Sequence, residues 1–125
     1  RKAAAEISDG LDRRIEWRVT DMGDRAQVQA LAEETIARLG KVDILINNAG
    51  GNQPQAIDEI TDEAWDRILE LNLTSCMSLT RAVVPGMKQR GWGRIIHISS
   101  VLGVGSKERR NAYSATKAGL IGLAK

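Results

Sequence analysis

Hydrophobic positions along the chain alternate between a two-residue and a roughly 3.6-residue period, three times over. Ile15-Glu16-Trp17-Arg18-Val19 alternates apolar with polar, which predicts a short strand. Asp21 or Asp24 can then cap a helix whose Val28, Leu31, Ala32, Thr35, Ile36 and Leu39 fall on one stripe, with Gly40 as its stop. Val42 to Ile46 is apolar on both faces apart from Asp43, as in a buried parallel strand, and Asn47-Asn48-Ala49-Gly50-Gly51 breaks it. Thr61 with Asp62 and Glu63 opens a second helix, since a hydroxyl cap and acids suit the positive end of the helix dipole. A single stripe then runs from Trp65 to Met87, and Pro85-Gly86 is expected to kink or fray its end. Arg94 to Ser99 reads as the third strand. A Gly-rich loop from Gly103 to about Arg110 follows, and a last helix starts near Ala112.

Strands separated by helices long enough to cross over form parallel, right-handed βαβ units. The fold class predicted is therefore α/β, a doubly wound parallel sheet of three layers, carried by a single partial domain over residues 1–125. In the sheet order 3-2-1-4-5-6, the first strand is strand 3 and the second is strand 4. The two strands between them are missing, so the architecture is expected to be incomplete at both ends. Arg1 in place of Met, and a last helix that stops at Ala124-Lys125 without a terminator, fit an internal piece of a longer protein. In such sheets ligands bind beyond the carboxyl ends of the strands, which points to the loops after residues 19, 47 and 99.

Composition narrows the partners. The 18 Lys and Arg against 16 Asp and Glu leave +2, no electrostatic case for nucleic acid or an anionic membrane. Uncharged apolar runs such as Ile44-Leu45-Ile46 are far short of a membrane span, and no signal segment opens the chain, so a cytoplasmic location is expected. One cysteine, Cys76, excludes an internal disulfide and any multi-cysteine metal site; it lies on the apolar stripe and reads as a small buried hydrophobe.

Tyr113 and Lys117 are four apart on a predicted helix, so both leave the same face about one turn apart. An ammonium near a phenol stabilises the phenolate form and makes tyrosine usable as a proton donor and acceptor. Ser99 and Ser100 end a strand on the ligand side, where a hydroxyl can donate to a developing alkoxide. Asn72 stands mid-helix, a poor place for asparagine unless its amide has a particular task. Asn47-Asn48-Ala49-Gly50 sets compact amides and flexible backbone at a strand mouth, suited to close approach by a ribose.

Together Asn47-Asn48-Ala49-Gly50, Asn72-Leu73, Gly93-Arg94-Ile95-Ile96-His97-Ile98-Ser99-Ser100 and Tyr113-Ser114-Ala115-Thr116-Lys117-Ala118-Gly119 resemble the short-chain dehydrogenase/reductase family, in order and spacing. The subgroup resembled contains 3-oxoacyl-carrier-protein reductases and many sugar-acid, polyol and steroid dehydrogenases. The resemblance implies a Rossmann-like fold and hydride transfer between NAD or NADP and a secondary alcohol or ketone, with a 3-oxoacyl thioester or a sugar acid or polyol as substrate. It makes Tyr113 the general acid/base, and Lys117 its neighbour and the holder of the nicotinamide ribose. Ser100, chosen over Ser99 by its separation from Tyr113, would hold the substrate oxygen, and Asn72 a proton-relay water. Asn48, Ala49 and Gly50 would line the adenosine-side ribose, and Val19 the adenine edge. A homo-oligomer, a dimer of dimers associating through the long helix and the Tyr113 helix, is implied as well.

The family's Gly-rich phosphate loop and the residue that selects NAD or NADP are absent from this sequence, and Arg18 stands where an acidic or amide residue is common. His97 replaces a frequent asparagine and reads as a packed or hydrogen-bonded histidine. Lys107-Glu108-Arg109-Arg110 reads as a solvated charge run bordering the substrate side, one of whose arginines would meet an acidic substrate. The other readings are a non-catalytic binding or assembly subunit of the same fold and an extended-family epimerase or dehydratase. Asn72 and Asn47-Asn48-Ala49-Gly50 favour the shorter dehydrogenases.

Overall fold

The computed structural model describes residues 2–9 and 15–125. A short helix, α1 (Lys2–Asp9), precedes α2 (Arg25–Leu39). The aspartate that caps α2 is Asp24, whose Oδ1 accepts from the backbone N–H of Ala26 at 2.9 Å and of Gln27 at 3.1 Å. Hydrogen bonds from the Gln27 side chain and backbone hold the Asp24 carboxyl below its ordinary value. Gly40 ends α2 at φ 73°, a left-handed position that glycine adopts without cost. Val28 and Ala32 bury the inner side of this helix, which packs on α4 (Ser75–Arg90).

Two parallel strands follow, β1 (Ile44–Asn47) and β2 (Arg94–His97), paired Ile44 with Arg94 through Asn47 with His97. Backbone bonds from Arg94 to Asp43 and from Ile98 to Asn47 extend the ladder at both ends. The face carrying Asn47 and His97 lies under α4. On the alternate positions Ile44 and Ile46 are 54% and 57% exposed, and Ile96 and Ile98 are exposed too. The expected parallel βαβ connection is thus present around β1 and β2, with one sheet face covered by helix and one open.

Three details depart from expectation. Residues 15–19 form no strand: a ladder requires a partner, and among the described residues the sheet holds only β1 and β2, paired with each other. The segment is held to α2 instead, by Arg18 with Glu34 and Arg38 with Glu16. The long helical stretch is three pieces rather than one: α3 (Asp62–Leu69), a π-helical turn over Glu70–Thr74, and α4. Thr61 caps α3 as expected, its Oγ1 accepting from Ala64 N–H at 3.2 Å. Third, Pro85 does not end the helix, which continues to Arg90 and stops at Gly91 with φ 66°. Pro85 is exposed, so its missing donor falls on the solvent side, while buried Val83 and Met87 pin the helix on either side of it.

The last helix, α5 (Asn111–Leu123), buries Ala112, Ser114, Thr116, Lys117 and Leu120. It packs against the π turn, the 3₁₀ turn Val101–Gly103 and α3. Gly119 makes the first contact possible, since a Cβ there would lie 2.9 Å from the Leu73 side chain. Among the described residues no helix is long and apolar enough to cross a membrane, and no cluster of His, Cys, Asp and Glu could hold a metal.

Candidate active site

At the carboxyl ends of β1 and β2 the backbone opens into a cleft of about 590 Å³. Asn48, Gly50, Gly51 and Asn52 line one lip, Ile98 to Leu102 the floor, and Arg110, Tyr113 and Lys117 the wall formed by α5. Five of the residues singled out from the sequence as catalytic or cofactor contacts therefore meet here, from the loop after β1, the end of β2 and α5: Asn48, Gly50, Ser100, Tyr113 and Lys117. Ala49 and Val19 do not line the cleft, and Val19 is 85% exposed beside α2.

Lys117 is 4% exposed, an expensive place for an ammonium unless it is held. Its Nζ donates to the carbonyl of Ile98 at 2.7 Å and lies 5.7 Å from the centre of the Tyr113 ring. Ser99 returns the link, its Oγ donating to the carbonyl of Lys117 at 2.7 Å. These two bonds fasten the end of β2 to the middle of α5 and account for Ser99, whose hydroxyl proton is committed to the backbone. Ser100 differs. Its Oγ only accepts, from Leu102 N–H at 3.2 Å, as the cap of the 3₁₀ turn Val101–Gly103. Its proton thus has no acceptor among the described residues and is free to donate into the cleft.

Asn72 is fully buried, inside the π turn. Its Oδ1 accepts from Gly51 N–H at 2.8 Å, and its Nδ2 donates to the Gly51 carbonyl at 2.9 Å and to Thr116 Oγ1 at 3.1 Å. The side-chain amide pairs with the Gly51 backbone as one strand pairs with another, and so fixes the loop that carries Gly50. A π turn inserts one residue into the helix and re-aims its side chains, which is why such turns recur at functional sites. Gly50 sits where a Cβ would approach Asn72 Oδ1 to 3.2 Å and Lys117 Nζ to 3.5 Å. That bare backbone lets the loop close on the Asn72 amide and the Lys117 ammonium, and Asn48, Gly50 and Lys117 lining one cleft give polar groups and a cation that fit the ribose of a dinucleotide.

Thr116, fully buried, is a site residue that sequence reasoning missed. Its Oγ1 receives Asn72 and donates to the Tyr113 carbonyl at 2.7 Å, joining the π turn to the helix that carries the phenol. Only its place between Tyr113 and Lys117 could have signalled it. His97 is half-buried beneath the cleft with Nδ1 3.1 Å from Asn47 Nδ2, while Asn47 also reaches Thr80 Oγ1 at 3.4 Å. Burial holds the His97 imidazole below its ordinary value. Cys76 is buried against the Asn72 carbonyl, and burial pushes its thiol up.

The profile of the short chain dehydrogenase family matches residues 1–125. The chain belongs to the short-chain dehydrogenase family. It is 39% identical over 124 residues to the D-beta-hydroxybutyrate dehydrogenase of Cupriavidus necator, covering 98% of this chain and 48% of that protein. It is 38% identical over 122 residues to the 3-oxoacyl-[acyl-carrier-protein] reductase of Escherichia coli, covering 98% of this chain and 50% of that protein. A short-chain dehydrogenase from Streptomyces avermitilis superposes with a TM-score of 0.88 at 37% identity, over 98% of this chain and 45% of its own. The chain spans about half the length of the curated relatives it matches. Membership accounts for the Rossmann-like arrangement, in a family of nicotinamide-dependent oxidoreductases.

Proposed function

We propose that the protein is an oxidoreductase that interconverts a ketone and a secondary alcohol, with Tyr113 as general acid/base and Ser100 as the hydroxyl that holds the reacting oxygen. The observation that carries this reading is that the free Ser100 proton and the Tyr113 side chain open into one cleft, while Lys117 is pinned by Ile98 beside Gly50. NAD or NADP, when bound, supplies the hydride that the carbonyl carbon receives. Ser100 donates to the carbonyl oxygen as negative charge develops on it, and Tyr113 delivers the proton that completes the alcohol. In the oxidative direction Tyr113 takes the proton from the alcohol. The Lys117 ammonium near the ring stabilises the charge left on the phenol oxygen, and its second role is to hold the nicotinamide ribose. Asn72 acts from behind, positioning Gly50 and, through Thr116, the backbone of Tyr113. The names of the relatives, an acyl-carrier-protein reductase and a hydroxybutyrate dehydrogenase, support a 3-oxoacyl compound as substrate, with a sugar acid or polyol as the neighbouring class.

The test replaces Tyr113 with Phe in the full-length protein. Loss of the positioned acid is expected to lower kcat by about a hundredfold or more with the fold retained. Hydride transfer at the parent rate would defeat the mechanism.

A further inference from the structure

The cleft is lined by two cations, Lys117 and Arg110, and by no carboxylate. Lys117 is engaged with Ile98, so Arg110 is the open charge. Among the described residues the Arg110 side chain has no ion pair, hydrogen bond or ring contact, although it is half-buried. The rest of the basic run, Lys107, Glu108 and Arg109, is exposed and stays out of the cleft. The backbone is built to this end. Arg109 takes a left-handed φ of 62°, and its carbonyl accepts from Gln55 N–H at 3.2 Å, across from the lip that begins at Asn48. The turn leaves Arg110 at the start of α5, three residues before Tyr113, so the two side chains leave neighbouring points of the helix with Cβ atoms roughly 5–6 Å apart. A guanidinium keeps its charge and matches an oxyanion through two parallel N–H bonds. A half-buried, unpaired one next to a proton-transfer group is a group waiting for a partner.

We propose that Arg110 is a specificity-determining residue that pairs with an oxyanion of the substrate a few bonds from the reacting carbonyl. The inference rests on the reading of Tyr113 and Ser100 given above. The carboxylate of a short oxo acid supplies such an oxyanion, whereas the phosphate of a carrier thioester lies a whole pantetheine arm away from its 3-oxo carbon. The full-length protein is assayed with acetoacetate, its neutral methyl ester, and acetoacetyl-coenzyme A, in the parent, Arg110→Gln, Arg110→Lys and Tyr113→Phe. Arg110→Gln is expected to lower the ratio of kcat/KM for the anionic substrate over the methyl ester by about tenfold, with Arg110→Lys between. A drop in the acetoacetate ratio alone assigns the carboxylate, and a drop in the acetoacetyl-coenzyme A ratio alone, which would mean a distant phosphate, overturns the assignment. Calorimetric binding of the same two anions to Tyr113→Phe with and without Arg110→Gln gives the same answer without turnover. Unchanged ratios, or equal losses on all three substrates, overturn the role of Arg110. Turnover that survives Tyr113→Phe instead overturns the underlying mechanism, whatever Arg110 does.

Discussion

Gly103 offers a clean measure of how tightly the 3₁₀ turn is seated on α5. A Cβ built there lies 2.8 Å from Ser99 Oγ and 2.9 Å from both the carbonyl carbon and oxygen of Lys117. Backbone atoms cannot rotate away, so Gly103→Ala must push the turn off α5 by about half an ångström to restore ordinary contact. Its φ is not positive, so the cost comes from this contact and not from backbone strain. Overpacking of this kind costs about 1–3 kcal/mol. Reduced freedom of the unfolded chain returns roughly 0.4–1 kcal/mol, leaving a net loss near 1–2 kcal/mol. The same displacement stretches the 2.7 Å bond from Ser99 to the Lys117 carbonyl, so the damage reaches α5 one turn from Tyr113. Gly105→Ala is the control, because nothing lies within 4 Å of its Cβ, and it should be neutral or slightly stabilising. Urea unfolding of the two variants of the full-length protein, compared by midpoint at unchanged m-value, reads the difference. Gly103→Ala within about 0.5 kcal/mol of Gly105→Ala would show that the turn has slack and refute the reasoning.

Asn72→Ala should cost about 2 kcal/mol in the same assay, since it removes a fully buried side chain and leaves the half-buried Gly51 N–H and carbonyl without their amide partner. A loss below about 1 kcal/mol would mean that the loop is held by something else. For His97 the sign is set by burial, which holds the folded imidazole below its ordinary 6.5, so the unfolded chain binds the proton first. Its contribution to stability is therefore complete above about pH 6.5, decreases as pH falls from there and is gone below the depressed folded value. His97→Asn should flatten that part of the stability–pH curve, and an unchanged slope would rule His97 out as its source.

Local signals sufficed where one residue acts on its immediate neighbours. An aspartate and Thr61 at helix starts, Gly40 at a stop, and strands within Val42–Ile46 and Arg94–Ser99 were all legible, because capping and period depend on residues a few positions apart. Tyr113 and Lys117 were legible for the same reason, four apart on one helix. The strand read at Ile15–Val19 failed because a strand exists only through its neighbour. The π turn escaped because the apolar stripe runs on through Leu69 and Leu73 on either side of Asn72, and only the backbone, with Ser75 N–H on the Glu70 carbonyl, shows that the helix widened there.

The sequence by itself determined the order of helices and strands from α2 onward, the capped ends, and the presence of a phenol, an ammonium and strand-end hydroxyls suited to proton transfer. The tertiary structure alone decided which serine keeps its proton, that Asn72 works on the backbone through Thr116 and Gly51, and that Arg110 leaves the charged run to face the cleft. Those outcomes depend on contacts between segments tens of residues apart. Spacing along the chain carries no record of which donor finds its acceptor once β1, β2 and α5 close on one another.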